Sequence, residues 1–390
     1  MIILKTMPSA EEFYKTYWGQ RPFCVRGAVP VLDFNTYIDI DTLAELATED
    51  DIKSRLIKTQ TTGHDKNWQC DHGPFQEGLL SSLGAENWNL LVQNVENYHL
   101  ETGGILKHFD FAPQWLLDDI MVSASTPRGS VGPHTDSYHV FLVQGIGTRV
   151  WTVADAPLKN PHTIDNPDIK ILRDPVNGKP VTVTKGDVIY IPPHFAHEGI
   201  TTQTAMTFSV GFLGPKPSDL FTEYGYYLAE KAQDNKAYEA TEMTEDGQGY
   251  ALPVHSINAL RKAMVESLNT DDFATWLAEY FSTPSDIDIV YPRETPLPKD
   301  ALKNRLEKGE VLFKPRHIKI VTTAIEDTSL ILSIFGEVIP TTLDNTHLIE
   351  LLKTHAEISY KDLNQESDMT LVTRLYNENI LFFNGEDISL

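Results

Sequence analysis

Between residues 88 and 212, hydrophobic and polar positions change in short runs. Those at 88–95, 120–126, 139–144, 148–153, 181–184, 188–191 and 206–212 predict β-strands. Gly145-Ile146-Gly147 predicts a hairpin turn between two of them, and Lys185-Gly186-Asp187 a tight turn between another two. Several short strands with turn residues between them predict a sandwich or barrel. Ahead of them, 10–18 and 42–48 read as short helices. From about Pro217 the period lengthens. Apolar residues recur every three or four positions in 219–232 and 256–281, as at Ile257, Leu260, Ala263, Met264 and Leu268, which predicts helices broken at 269–272. A Pro-rich, acidic stretch from 284 predicts a linker. Beyond it, 301–307, 311–321, 330–334, 348–353, 360–363, 369–377 and 380–383 mix short helices and strands, a small α+β domain of winged-helix character.

Length supports this division, since 390 residues exceed what one hydrophobic core organises. No apolar run approaches the roughly 18 residues needed to span a bilayer, and the first ten residues lack the basic and apolar regions of a signal peptide. A cytoplasmic protein without membrane contact is expected. Only Cys24 and Cys70 occur, without CxxC spacing, so no disulfide framework or zinc ribbon is predicted. The formal net charge of -23 argues against direct nucleic-acid contact, which depends on Lys and Arg. It suits a basic partner, although acidity also serves plain solubility.

Candidate chemistry lies inside the strand block. On a strand, His134 and Asp136 of His134-Thr135-Asp136 would project from one face, and His197, after Pro192-Pro193-His194, would close the set from another strand. Two His and one carboxylate form the facial triad of non-haem Fe(II) enzymes, with the opposite face left open to a co-substrate and O₂. A lone His-x-Asp is common by chance; the strand context and the Pro-Pro-His-x-x-His give it weight. Gly129, Ser130 and Gly132 make the preceding loop permissive, and Pro133 biases Gly132 toward an extended backbone. His194 is expected to face solvent or a second partner, and His139, an odd number of positions from Asp136, the opposite side. His72, His99 and His108 read as structural or exposed, and Trp68, Trp88, Trp115 and Trp151 as core. If the co-substrate is 2-oxoglutarate, its distal carboxylate needs a cation. Arg149, in the β-prone Thr148-Arg149-Val150-Trp151, supplies one if it points inward and is a solvated strand residue if it does not.

Ile120-Met121-Val122-Ser123, the stretch from Val131 to Phe141, Gln144-Gly145, Gly186-Asp187 through Gly199 and Phe208 to Phe212 together resemble the JmjC/cupin ribosomal oxygenases of bacteria. The likeness extends to Arg21-Pro22, Trp68-Gln69, Gly73-Pro74-Phe75, Asn87 to Gln93 and Phe382-Phe383, and so covers nearly the whole chain. It implies an α+β protein, a JmjC-type double-stranded β-helix (cupin jelly roll) in 1–216, a helical dimerisation region in 217–283, a linker in 284–299 and a winged-helix-like domain in 300–390. It also implies Fe(II), 2-oxoglutarate and O₂, a homodimer, and hydroxylation at the β-carbon of an arginine in large-subunit ribosomal protein sixteen. Carried over by position, His134, Asp136 and His197 bind iron, Arg149 pairs with 2-oxoglutarate, and Ser123 and Thr207 flank it. Asp119, Met121 and Tyr138 line the path of the target arginine. Thr207 stands where an Asn is expected in relatives. Three other outcomes share this scaffold: an N-methyl-lysine demethylase, a small-molecule hydroxylase, and a non-catalytic cupin that binds during ribosome assembly.

Overall fold

Ten strands from the first 212 residues form one curved sheet in a computed structural model of the chain. The structure describes residues 1–62, 65–164, 169–231, 237–239, 249–284, 292–325, 329–354, 357–364 and 366–386. The strands are β1 (Ile2–Leu4), β2 (Phe23–Val25), β3 (Ser54–Thr62), β4 (Asp65–His72), β5 (Trp88–Val92), β6 (Leu117–Ser125), β7 (His139–Pro157), β8 (Val181–Val183), β9 (Val188–Ile191) and β10 (Phe195–Phe212). Their order is β1-β2-β9-β7-β10-β6-β5-β3-β4, with β8 on β7.

Its organising element is the long antiparallel pair of β7 and β10. Residues opposite each other in an antiparallel pair share a face. The chain of opposite residues Leu91, Ser123, Thr207 and Gln144 therefore lies on one face of β5, β6, β10 and β7. Farther along the pair, Arg149 opposes Thr201, Trp151 opposes Gly199 and Val153 opposes His197. Arg149 donates to both Ser123 and Thr207, so the two halves of the pair close around a common interior. The alternate residues, Leu90, Val122, Phe141, Val143 and Phe208, build the main core outside it with Phe13, Phe23 and Tyr190.

Here expectation and structure diverge. Gly145-Ile146-Gly147 does not end the strand; β7 continues through it. Gly147 takes φ +66°, and the β10 register shifts repeatedly between Thr201 and Thr207, so the signal marks a bulged bend in a long antiparallel pair. The β3–β4 hairpin, which carries no clean alternation, is an addition to the expected strands. Residues 10–18 form one short α-turn, Ala10–Glu12, and a π-helical turn, Phe13–Tyr17. Gly132 is not extended but has φ +82°, and a Cβ there would lie 3.1 Å from both Trp68 and Ile171. The turn at Lys185-Gly186 joins β8 to β9 as expected.

A second unit comprises Pro215–Lys314 and Ile318–Gly385. Its helices Pro217–Lys231, Val254–Leu268 and Asp271–Ser282 match the lengthened period, including the break. Helix Asp271–Ser282 packs on the three-stranded sheet of Ile320–Ile325, Ser329–Ile334 and Glu337–Ile339, where the Ser282 and Ser333 hydroxyls are 2.8 Å apart. Helices Lys299–Glu307, Thr346–Thr354 and Glu366–Asn377 and the strand pair Leu312–Phe313 with Phe382–Phe383 complete it. Much of the expected linker, 285–291, lies outside the described residues. Among the described residues, no helix is long and apolar enough to cross a membrane.

Candidate active site

His134, Asp136 and His197 come together at one end of the β-helix interior, with one ligand atom of each within 4.8 Å of the others. His134 and Asp136 do not share a regular strand as expected. They precede β7, and a single bridge to β10 holds them: His134 N–H donates to His197 O at 3.0 Å and His197 N–H returns to His134 O at 2.9 Å. The Pro192-Pro193 stop then precedes His197, which is the third residue of β10.

The donor atoms are oriented for a metal. His134 Nδ1 lies 2.9 Å from Gly132 O and His197 Nδ1 2.9 Å from Phe195 O. A proton on each Nδ1 satisfies those carbonyls and leaves each Nε2 as a lone pair, the arrangement in which second partners fix a ligand's tautomer. The Asp136 carboxylate is 3.3 Å from His197 Nε2 and 3.9 Å from His134 Nε2. Burial, followed by the neighbouring His197, pushes His134 down to about 4, so it is neutral at physiological pH. Burial opposes ionisation of Asp136, but the two imidazoles and the Tyr138 hydroxyl overcome it and hold the carboxyl at about 2. Two imidazole Nε2 atoms and one carboxylate fit a divalent cation.

Arg149 settles inward. It is 3 % exposed, its Nη1 lies 3.1 Å from Thr207 Oγ1 and 3.4 Å from Ser123 Oγ, and its Nε has no partner. No carboxylate among the described residues pairs with it, and burial pulls its pKa down to about 10. A buried, charged guanidinium with only hydroxyl partners is costly, which makes it a receptor for an anion. Trp151, expected as core, is buried but also lies between the two ends of the site. Its ring centroid is 6.0 Å from that of His197 and 5.1 Å from the Arg149 guanidinium carbon. Gly199 admits this ring, since a Cβ there would lie 2.7 Å from the indole.

Beside the triad opens a cavity of about 700 Å³ whose wall includes Arg55, Leu91, Met121, His134, Asp136 and Tyr138. Asp119 sits farther along the face of β6, where it accepts from the Asn94 backbone and the Gln93 side chain, with Oδ2 buried and without a partner. Burial and then the adjacent Asp118 carboxylate push it up to about 6. His194 is exposed and takes φ +67°, and its backbone N–H donates to Asp136 O at 2.7 Å. His139 faces away, stacked on Trp18 at 3.5 Å, while His108 bonds Asp33 and His99 caps a short helix. His72 is exposed, as expected, and borders the cavity, whereas one expectation fails: Trp115 is 45 % exposed rather than core. The sequence reading also missed Arg55, Asn89, Ser125 and Thr201. For Asn89 a signal existed, as the lone polar residue in an apolar run.

The chain resembles known proteins over most of its length. Residues 104–220 match the JmjC domain family and 261–382 the ROXA-like winged helix. The chain is 33 % identical over 316 residues to the ribosomal protein uL16 3-hydroxylase of Escherichia coli, covering 80 % of this chain and 81 % of that protein. It is 37 % identical over 213 residues to a "Probable ribosomal oxygenase" of Haemophilus influenzae, covering 54 % and 51 %. The X-ray structure of E. coli ycfD superposes with a TM-score of 0.82 at 29 % identity, over 98 % of this chain and 100 % of that one. The structure of that ribosomal oxygenase with cobalt and 2-oxoglutarate gives 0.80 at 28 %, over 98 % and 99 %. With a candidate facial metal cluster at one end of its β-helix and a winged-helix match later in the sequence, the chain belongs to the bacterial JmjC ribosomal oxygenases.

Proposed function

We propose that this chain is an Fe(II)- and 2-oxoglutarate-dependent oxygenase that hydroxylates the β-carbon of an arginine in ribosomal protein uL16, the large-subunit protein sixteen. The observation that carries the co-substrate assignment is Arg149, a buried guanidinium without a carboxylate partner that faces the same interior as the metal triad. The substrate assignment rests on the name of the E. coli relative, supported here by the unpaired Asp119 carboxylate oxygen and the acidic chain.

His134, Asp136 and His197 would hold the metal through two Nε2 atoms and one carboxylate oxygen. When bound, Fe(II) would let O₂ act as the oxidant of two substrates, one oxygen atom entering succinate as 2-oxoglutarate loses CO₂ and the other hydroxylating a C–H bond. The chain's own residues do the positioning. Arg149, with Ser123 and Thr207, holds the distal carboxylate, Trp151 packs between that end and His197, and the buried interior excludes water. Asp119 receives the cationic side chain of the target by a charge-assisted hydrogen bond, and Met121 and Tyr138 border its path. In this reading residues 217–283 join two copies into a homodimer, 300–390 form the winged-helix-like domain behind the 284–299 linker, and the protein works in the cytoplasm without nucleic-acid contact.

Mass spectrometry of uL16 peptide incubated with protein, Fe(II), 2-oxoglutarate and O₂ tests the whole reading. Gain of one oxygen on an arginine, with matching succinate, is expected, and His134→Ala should abolish both. Loss of a methylene from a methylated lysine would indicate a demethylase instead, and equal succinate release by His134→Ala would remove the metal assignment.

A further inference from the structure

Among the described residues, the buried side-chain atoms without a hydrogen-bond partner on the inner face of the β-helix include Arg149 Nε, Trp151 Nε1, Asp119 Oδ2 and Asn89 Oδ1. The first three belong to residues that the proposed function already uses. Asn89 has no role in it. It is 1 % exposed and is the lone polar residue of β5, whose five residues are all buried. Buried polar side-chain atoms are nearly always paired, so an orphaned amide in an otherwise apolar strand points to a missing partner.

Strand register says where that partner sits. Asn89 opposes Ser125, and Leu91 opposes Ser123. All four therefore share the inner face. Ser123 Oγ is 3.4 Å from the Arg149 guanidinium, and Ser125 Oγ accepts from Thr201, the residue opposite Arg149. Asn89 is thus the diagonal neighbour of Ser123, a spacing of about 7–8 Å across which side chains reach a common ligand. Rotation of the amide exchanges its oxygen and nitrogen, so Asn89 presents a donor as readily as an acceptor.

We infer that Asn89 is a further co-substrate-binding residue, whose amide donates to the distal carboxylate of 2-oxoglutarate beside Arg149. The inference rests on the reading of Arg149 as that carboxylate's cation. A carboxylate offers about four acceptor positions. The guanidinium and the Ser123 and Thr207 hydroxyls approach from β7, β6 and β10, and Asn89 adds a neutral donor from β5, the remaining side of the cup.

Calorimetric titration of 2-oxoglutarate into the Mn(II)-loaded full-length protein tests it, alongside Mn(II) titration and thermal unfolding of the ligand-free protein. For Asn89→Leu, the Kd for 2-oxoglutarate should rise about tenfold or more, the loss expected for a hydrogen bond to a charged group. Mn(II) affinity should stay unchanged, and the ligand-free Tm should hold or rise, because an apolar side chain of similar size replaces an unpaired amide. Asn89→Asp, which keeps the shape and sets carboxylate against carboxylate, should weaken binding further. Wild-type 2-oxoglutarate affinity in either folded variant overturns the inference and leaves Asn89 a structural residue. Failure of the underlying reading looks different: the unmodified protein would bind no 2-oxoglutarate, or Arg149→Met would bind it normally.

Discussion

At the residue scale, Arg149 and Glu96 carry the plainest consequences of burial. A buried guanidinium whose hydrogen-bond partners among the described residues are two hydroxyls destabilises the ligand-free protein and waits for an anion. Arg149→Met should therefore leave the ligand-free Tm unchanged or higher, yet raise the 2-oxoglutarate Kd by roughly 30-fold or more, since truncating one partner of a buried charge pair costs about 2–5 kcal/mol. Calorimetry and thermal shift with and without 2-oxoglutarate check both halves; an unchanged Kd would deny Arg149 its role. Glu96 is 4 % exposed and accepts from Ile120 N–H at 2.9 Å. Burial, then the Asp119 carboxylate, push it up from 4.5 to about 8. Between those values the folded state keeps a proton that the unfolded state releases, so this group's contribution is fully present below pH 4.5 and is lost as pH rises through 8. Glu96→Gln, which keeps the acceptor for Ile120, should flatten that part of the pH profile and stabilise the protein at pH 8 to 9 by on the order of a few kcal/mol. A denaturant series from pH 5 to 9 with parallel slopes for both proteins would contradict it.

At the element scale the decisive feature is the bend in the long β7–β10 pair, because it brings Arg149 on one half against Ser123 and Thr207 near the other. Gly147 makes that bend. Its φ of +66° disfavours any side chain, and a Cβ would stand 2.0 Å from Thr204 O and 2.8 Å from Ala205 Cα, both backbone atoms. Gly147→Ala should cost roughly 3 kcal/mol or more in urea unfolding and weaken 2-oxoglutarate binding in whatever fraction folds. An Ala variant as stable as the parent would mean that the strand passes this point without needing the left-handed backbone. The same bend shows where the sequence is legible and where it is not. Alternation exposed the strands at 120–126, 139–144, 188–191 and 206–212 because each has one face in a core. It could not distinguish a turn from a bulge at Gly145-Ile146-Gly147, since both ask for glycine and only the long-range β10 pairing decides. His134, Asp136 and His197 were readable from their types and spacing even though the strand assumed for two of them is absent. Asn89 and the direction of Arg149 were not, because facing in or out depends on register, which a single strand's sequence does not contain.

At the scale of the whole molecule, charge rather than shape governs how a basic polypeptide finds the site. Asp and Glu number 55 against 32 Lys and Arg, and the net charge of -23 produces a field that extends beyond any single contact. Such a field acts on encounter and leaves the bound complex nearly untouched, so it should appear in kcat/KM and not in kcat. Screening separates the two: the Debye length falls from about 10 Å at 0.1 M salt to about 3 Å at 1 M. If uL16 is the substrate, kcat/KM for the basic protein should fall by about tenfold or more over that range while kcat holds. The anionic co-substrate makes the internal control. The same field repels 2-oxoglutarate, so its apparent affinity should hold or improve as salt rises, the opposite direction from the protein substrate. A fall of both together would indicate that salt weakens the buried Arg149 site or the fold itself, and steady-state assays in which each substrate is varied in turn at 0.1 and 1 M salt decide between these outcomes.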